Sequence, residues 1–151
     1  YIWHYLFRVY LISIIVKKIN MNTKLDKIFA EISAGELIDK ITILEIKKVK
    51  IFNKDKLIYV EKELKSLNET VEKFIPDIEQ ISKFKNELKN INLKLWDIEN
   101  GKRLAEKNNT FDGEFILLAR SVYKTNDLRA KIKLEINNAL GSNIKEVKSH
   151  E

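Results

Sequence analysis

The sequence predicts an all-α fold: a three- to four-helix bundle, built on an antiparallel helical hairpin with coiled-coil-like heptads and flanked by long helices. Three observations predict it. One Pro and four Gly in 151 residues leave few points that break a helix, and Leu, Ile, Lys and Glu are abundant. Two apolar series alternate steps of three and four: Leu57, Val60, Leu64, Leu67, Val71, Phe74, then Ile81, Phe84, Leu88, Ile91, Leu95, Ile98. That spacing is the signature of a packed helix seam. Capping residues also stand where the periodic segments begin and end.

The first helix opens at the capping box Ser33-Ala34-Gly35-Glu36, where Ser33 accepts a backbone N–H three residues on and Glu36 reaches back. It is expected to run to about Phe52. Leu37, Ile38, Ile41, Leu44, Val49, Ile51 and Phe52 then form one apolar arc at about 100° per residue. Asn53-Lys54-Asp55 reads as a loop and cap. The two heptad series form a hairpin through a tight turn at Pro76, a residue suited to the first turn of a helix. Residues 108–113 break the pattern and offer Thr110 or Asp112 as an N-cap. A last helix runs to about Leu140 on the stripe Phe115, Leu118, Val122, Thr125, Arg129, Ile132 and Ile136. Gly141 ends it as a left-handed cap, and residues 142–151 read as a loose polar tail.

Residues 1–20 stand apart. The run YIWHYLFRVYLISIIVKK is interrupted by His4 and Arg8 and falls short of the ~20 residues that span a bilayer. It also lacks the small-residue cleavage site of a signal peptide. The first methionine is Met21, so the expectation is an over-extended gene start ahead of a single helical domain at 21–151, with a hydrophobic anchor as the alternative. The protein is expected to be cytoplasmic, with membrane contact only if the leader is real.

Composition removes several classes of function. The absence of Cys excludes disulfides and thiolate metal sites. The two histidines, His4 and His150, lie near the termini, so neither a metal site nor any other cofactor is expected. Of the formal charge of +6, Arg8, Lys17 and Lys18 supply three, leaving +3 on residues 21–151. The remaining lysines interleave with Glu and Asp instead of forming a one-signed stripe, so nucleic acid is not an expected partner. The chain carries neither a nucleophile–His–acid set nor a phosphate-cradling Gly loop, which excludes familiar covalent hydrolases and P-loop enzymes.

Four arginines against twenty-four lysines mark the region of interest, because Arg103, Arg120 and Arg129 fall close together. Arg offers a planar fork that binds carboxylate or phosphate at two points. Polar residues also interrupt the apolar arcs, where they are costly unless paired. Glu45 and Lys48 do so in the first helix and are three residues apart. Lys102 takes a core register position beside Glu99 and Arg103. Arg129 sits mid-stripe beside Asn126, and Trp96 lies off its heptad stripe. The candidate polar or ligand site is therefore Glu45, Lys48, Trp96, Glu99, Arg103, Arg120, Asn126 and Arg129. It reads either as an ion-pair layer that fixes helix register or as an inter-helix pocket in which Arg and Lys hold an anion and Glu handles a proton.

The runs ISAGELIDKITILEIKK (32–48), INLKLWDIENGKR (91–103) and FDGEFILLARSVYKTNDLRAKIKLEINNALGS (111–142), followed by EVKS, resemble a bacterial domain-of-unknown-function family, number six-one-six-five. The resemblance covers residues 28–149. It implies a small helical protein and, by association with surface-polysaccharide genes, a link to glycan biosynthesis. The family motif after the Trp has an acidic pair, an aliphatic and an Arg. Glu99 and Arg103 match it here, whereas Asn100 replaces the second acid and Lys102 the aliphatic, which puts any two-carboxylate mechanism in doubt. The function expected is a helical accessory or interaction protein with a protein partner or homo-oligomer through its helices. The alternative is a small-anion or sugar-phosphate binding protein or enzyme using the inter-helix Arg, Glu and Lys residues.

Overall fold

The computed structural model describes residues 28–146 apart from Pro76. The expectations for the leader, for Pro76 and for the end of the tail lie outside the described residues. Among the described residues four α-helices and one 3-10 turn follow in order: α1 (Ala34–Lys50), α2 (Lys54–Phe74), the turn Ile78–Ile81, α3 (Ser82–Asn108) and α4 (Gly113–Ala139). No described helix is long and apolar enough to cross a membrane.

The caps fix these boundaries. Ser33 Oγ accepts the Glu36 N–H at 3.1 Å, Asn53 Oδ1 accepts the Lys56 N–H at 3.0 Å, and Asp112 accepts from Glu114 and Phe115; each satisfies a first-turn donor that the helix leaves open. Asp112, and not Thr110, therefore starts α4. Only half of the expected capping box forms at α1, because the Glu36 carboxylate turns to Lys133 at 2.6 Å. At the other end of α4, Gly141 has φ 62°. The Gly141 N–H donates to the Asn138 carbonyl and the Ser142 N–H to the Asn137 carbonyl, the paired bonds of a Schellman ending.

α1 is the central helix and packs on α2, α3 and α4. Its buried positions are Gly35, Leu37, Ile38, Asp39, Ile41, Thr42, Leu44 and Ile46, an arc far wider than one apolar stripe. It stops early: α1 ends at Lys50, and Phe52 is 91 % exposed. The expected arc through Val49 and Phe52 is corrected accordingly.

Both heptad series lie on helices, but their pairing differs from expectation. α2 packs mainly on α1, and the most extensive interface joins α3 to α4 through the short link at residues 109–112. The cause lies in α1. A helix apolar on two sides needs two covers, so the single stripes of α2 and α3 are both drawn to it. Between α2 and α3 stands the 3-10 turn Ile78–Ile81.

The main core comprises Leu37, Ile38, Ile41, Ile75, Ile81, Leu88 and Ile136. Full burial of each such side chain is worth on the order of 2 kcal/mol. Every one of these residues belongs to the end of the bundle where α1 begins and α4 finishes. Gly35 permits the close approach there: a Cβ on it would strike the Lys133 carbonyl oxygen and lie 2.9 Å from Asn137 Oδ1.

Candidate functional site

The polar centre of the molecule is Asp39, on α1, with no solvent exposure. Arg129 of α4 grips it at two points, Nε to Oδ1 at 2.8 Å and Nη2 to Oδ2. Asn92 Nδ2, from α3, donates to Asp39 Oδ1 at 2.8 Å and to Thr42 Oγ1 at 2.9 Å. Thr42 in turn donates to the Asp39 carbonyl at 2.8 Å. Three helices are thus locked by one carboxylate. Asp39 holds the Arg129 guanidinium above its usual range by hydrogen bonding, against the opposing effect of burial. Among the described residues no buried side-chain polar atom lacks a partner, so the layer is electrostatically closed.

A second polar cluster ties the two sequence termini of the bundle together. Asn137 Oδ1 accepts the Gly35 N–H at 2.6 Å and Ser142 Oγ accepts the Ala34 N–H at 3.1 Å. Lys133, also from α4, donates to Glu36 and Glu146, each at 2.6 Å. Burial pushes the Lys133 amine down, but hydrogen bonds and charge from Glu146 and Glu36 outweigh it and leave the amine raised. The start of the expected loose tail is therefore anchored.

Beside the Asp39 layer a groove of about 240 Å³ opens between the helices. Ile43, Asn92, Leu95, Trp96, Glu99, Asn100, Arg103 and Arg129 line it. Four sequence-predicted residues, Trp96, Glu99, Arg103 and Arg129, are brought together here. Asn126 is adjacent, its Oδ1 being 3.5 Å from Arg129 Nη1. Glu99 accepts from Lys102 at 3.1 Å and lies 4.0 Å from Arg103.

The other three candidates lie elsewhere. Glu45 binds Lys89 at 2.7 Å and Lys85 at 3.1 Å. Burial raises its carboxyl, while the hydrogen bonds and charges of the two lysines together bring it below the usual range. Lys48 pairs with Glu61 of α2 at 3.3 Å, not with Glu45. Arg120 is exposed and does not line the groove. The expected convergence of Glu45 with Glu99 and Arg129 does not form, because the long Glu45 side chain reaches outward to the lysines of α3. Among the described residues no group of three or more acidic or imidazole side chains is placed to hold a metal ion.

Asp39, Asn92 and Thr42 escaped the sequence reading. The available signal was the series Gly35, Asp39, Thr42, Ile46 at steps of four, three and four, a second buried face on α1. The ISAGEL run and the NNALGS run that carry the family resemblance meet in space, since they supply Gly35 and Asn137.

No curated protein and no solved structure matches the chain. A family model described as "Family of unknown function (DUF6165)" matches residues 28–151, and the chain belongs to that family.

Proposed function

We propose that this protein is a helical-bundle accessory module that acts by docking, through the end of the bundle formed by the C-terminal part of α3 and the N-terminal part of α4. The observation that carries the reading is the set of large apolar side chains left exposed on the elements that reach that end. Val49, Phe52, Tyr59, Leu104, Ile116 and Leu117 are all exposed. Their placement at one end follows from the ion pair between Lys50 and Asp97 at 3.8 Å and from the packing of Gly101 against Leu118. Clustered exposed apolar side chains mark interaction surfaces in soluble proteins.

The occupant we assign is a second copy of the chain. Charges of both signs are interleaved around the apolar residues, among them Lys48 with Glu61, Lys50 with Asp97 and Lys102 with Glu99. A mixed rim is complementary to itself, as a two-fold interface requires. Surface-glycan biosynthesis is the setting that the family resemblance implies, with the dimer docking on an enzyme of that process.

The test is light scattering coupled to size exclusion over a concentration series, with wild type and Leu117→Lys side by side. A dimer that Leu117→Lys converts to a folded monomer supports the reading. A wild-type monomer at every concentration overturns self-association, and capture of a glycan-assembly enzyme by that monomer redirects the same surface to a different partner.

A further inference from the structure

We propose that the groove between α1, α3 and α4 binds a small organic monocarboxylate with an apolar or aromatic body. The inference is separate from docking at the open end, because it concerns a small molecule and not a protein partner, although Glu99 borders both surfaces.

The groove has a polar and an apolar part. Ile43, Leu95 and Trp96 form the apolar wall, and Asn100, Arg103 and Arg129 supply donors. Its volume of about 240 Å³ corresponds to about eight waters at ~30 Å³ each, room for one ring and its carboxylate. Ligand pockets of this kind combine an apolar lining with a few placed polar groups.

Charge decides the ligand class. Asp39 neutralises Arg129. Lys102 and Arg103 share the one Glu99 carboxylate, at 3.1 and 4.0 Å, which leaves one surplus positive charge at the rim of the groove. The Arg103 side chain is 74 % exposed, and the 4.0 Å contact with Glu99 is too long for a hydrogen bond. One surplus positive charge suits a monoanion. A phosphate dianion would leave a second charge facing the Glu99 carboxylate. Arg129 is fixed by its two bonds to Asp39, and its Nη1 reaches Asn126 Oδ1 at 3.5 Å, so its guanidinium is held in one orientation on the floor of the groove. Two of the four arginines of a lysine-dominated chain thus line one groove beside its Trp, the arrangement for carboxylate recognition next to an apolar face.

The test uses the full chain with Trp3→Phe, which leaves Trp96 as the sole tryptophan reporter. Trp96 fluorescence is titrated with benzoate, benzamide and phenyl phosphate at neutral pH. Saturable binding of benzoate is expected, with benzamide about tenfold weaker or more, the size of one charge-assisted hydrogen bond, and phenyl phosphate weaker because its second charge faces Glu99. Arg103→Gln should weaken benzoate by a similar factor at unchanged Tm, since its side chain is largely exposed. No saturable response to benzoate overturns the proposal. Equal binding of benzamide removes the carboxylate, tighter phenyl phosphate removes the monoanion, and an unaffected Arg103→Gln removes the assigned charge.

Discussion

The two ends of the bundle are built from the same helices yet solve opposite problems. At the end where α1 starts, three helices close on Ile38, Ile41, Ile81, Leu88 and Ile136, all essentially without exposure. Each polar intruder there is matched, Asp39 by Arg129 and Asn92, Lys133 by Glu36 and Glu146. At the other end α1 has 17 residues against 27 in α3 and in α4. At 1.5 Å per residue that difference is about 15 Å of helix. The longer pair outruns its cover, and side chains such as Leu104, Ile116 and Leu117 meet water. The contrast is one of core: the main cluster sits at the first end, whereas exposed apolar side chains occur at both, Phe74 beside buried Ile75 among them.

Mutations can break or sharpen this contrast, and the largest effect belongs at Asp39. Asp39→Ala leaves Arg129 and Asn92 without their shared acceptor. Loss of one partner of a buried pair costs about 3 kcal/mol, and urea unfolding of the variant should show a loss of that size. Gly35→Ala comes next. The new methyl meets backbone, the Lys133 carbonyl, so the α1–α4 contact must open at roughly 2 kcal/mol. Retention of wild-type stability by either variant would contradict the closed end described above.

The pH dependence of Tm gives a smaller signal on the closed side. Lys133 has a raised folded value, so its contribution is complete below the ordinary lysine range and is lost as pH rises through the folded value. Lys133→Met should flatten that alkaline limb. Glu45 has a lowered folded value, so its contribution is present above the ordinary glutamate range and is lost as pH falls through the folded value. Glu45→Gln should flatten the acid limb. The smallest effects belong to the open end. Phe52→Ser and Leu117→Lys, compared with wild type at concentrations where the chain is monomeric, should change stability by no more than about 0.5 kcal/mol.

Local signals in the sequence reported local structure well. Ser33, Asn53, Asp112 and Gly141 mark real helix boundaries, because a cap depends on only a few neighbouring residues. The heptad series located α2 and most of α3. A stripe records that a face is covered and not by which helix, so the pairing of α2 with α1 was not legible. Asp39 was hidden for a related reason: α1 was read as having one buried face, and the polar series at 35, 39 and 42 belongs to a second. Glu45 and Lys48 were read from helical angle alone, whereas long side chains leave the arc on which their Cβ atoms stand. Usage bias marked Arg103 and Arg129, and broken periodicity marked Trp96 and the Glu99 neighbourhood, so two separate signals led to one groove.

The clasp at the closed end also dictates an order of events in the cell. The backbone donors at Ala34 and Gly35 are met by Ser142 and Asn137, 108 and 102 residues later in the chain. Ribosomes deliver about 5–20 residues per second, so α1 emerges seconds before its clasp exists. Asp39 likewise waits for Arg129, 90 residues downstream. The nascent chain therefore cannot complete its buried layer helix by helix, and contacts of such long sequence separation slow closure further. Until α4 is released, the apolar faces of α1 have only α2 and α3 to shelter them, which makes the last turn of α4 the step that commits the whole bundle to its native state.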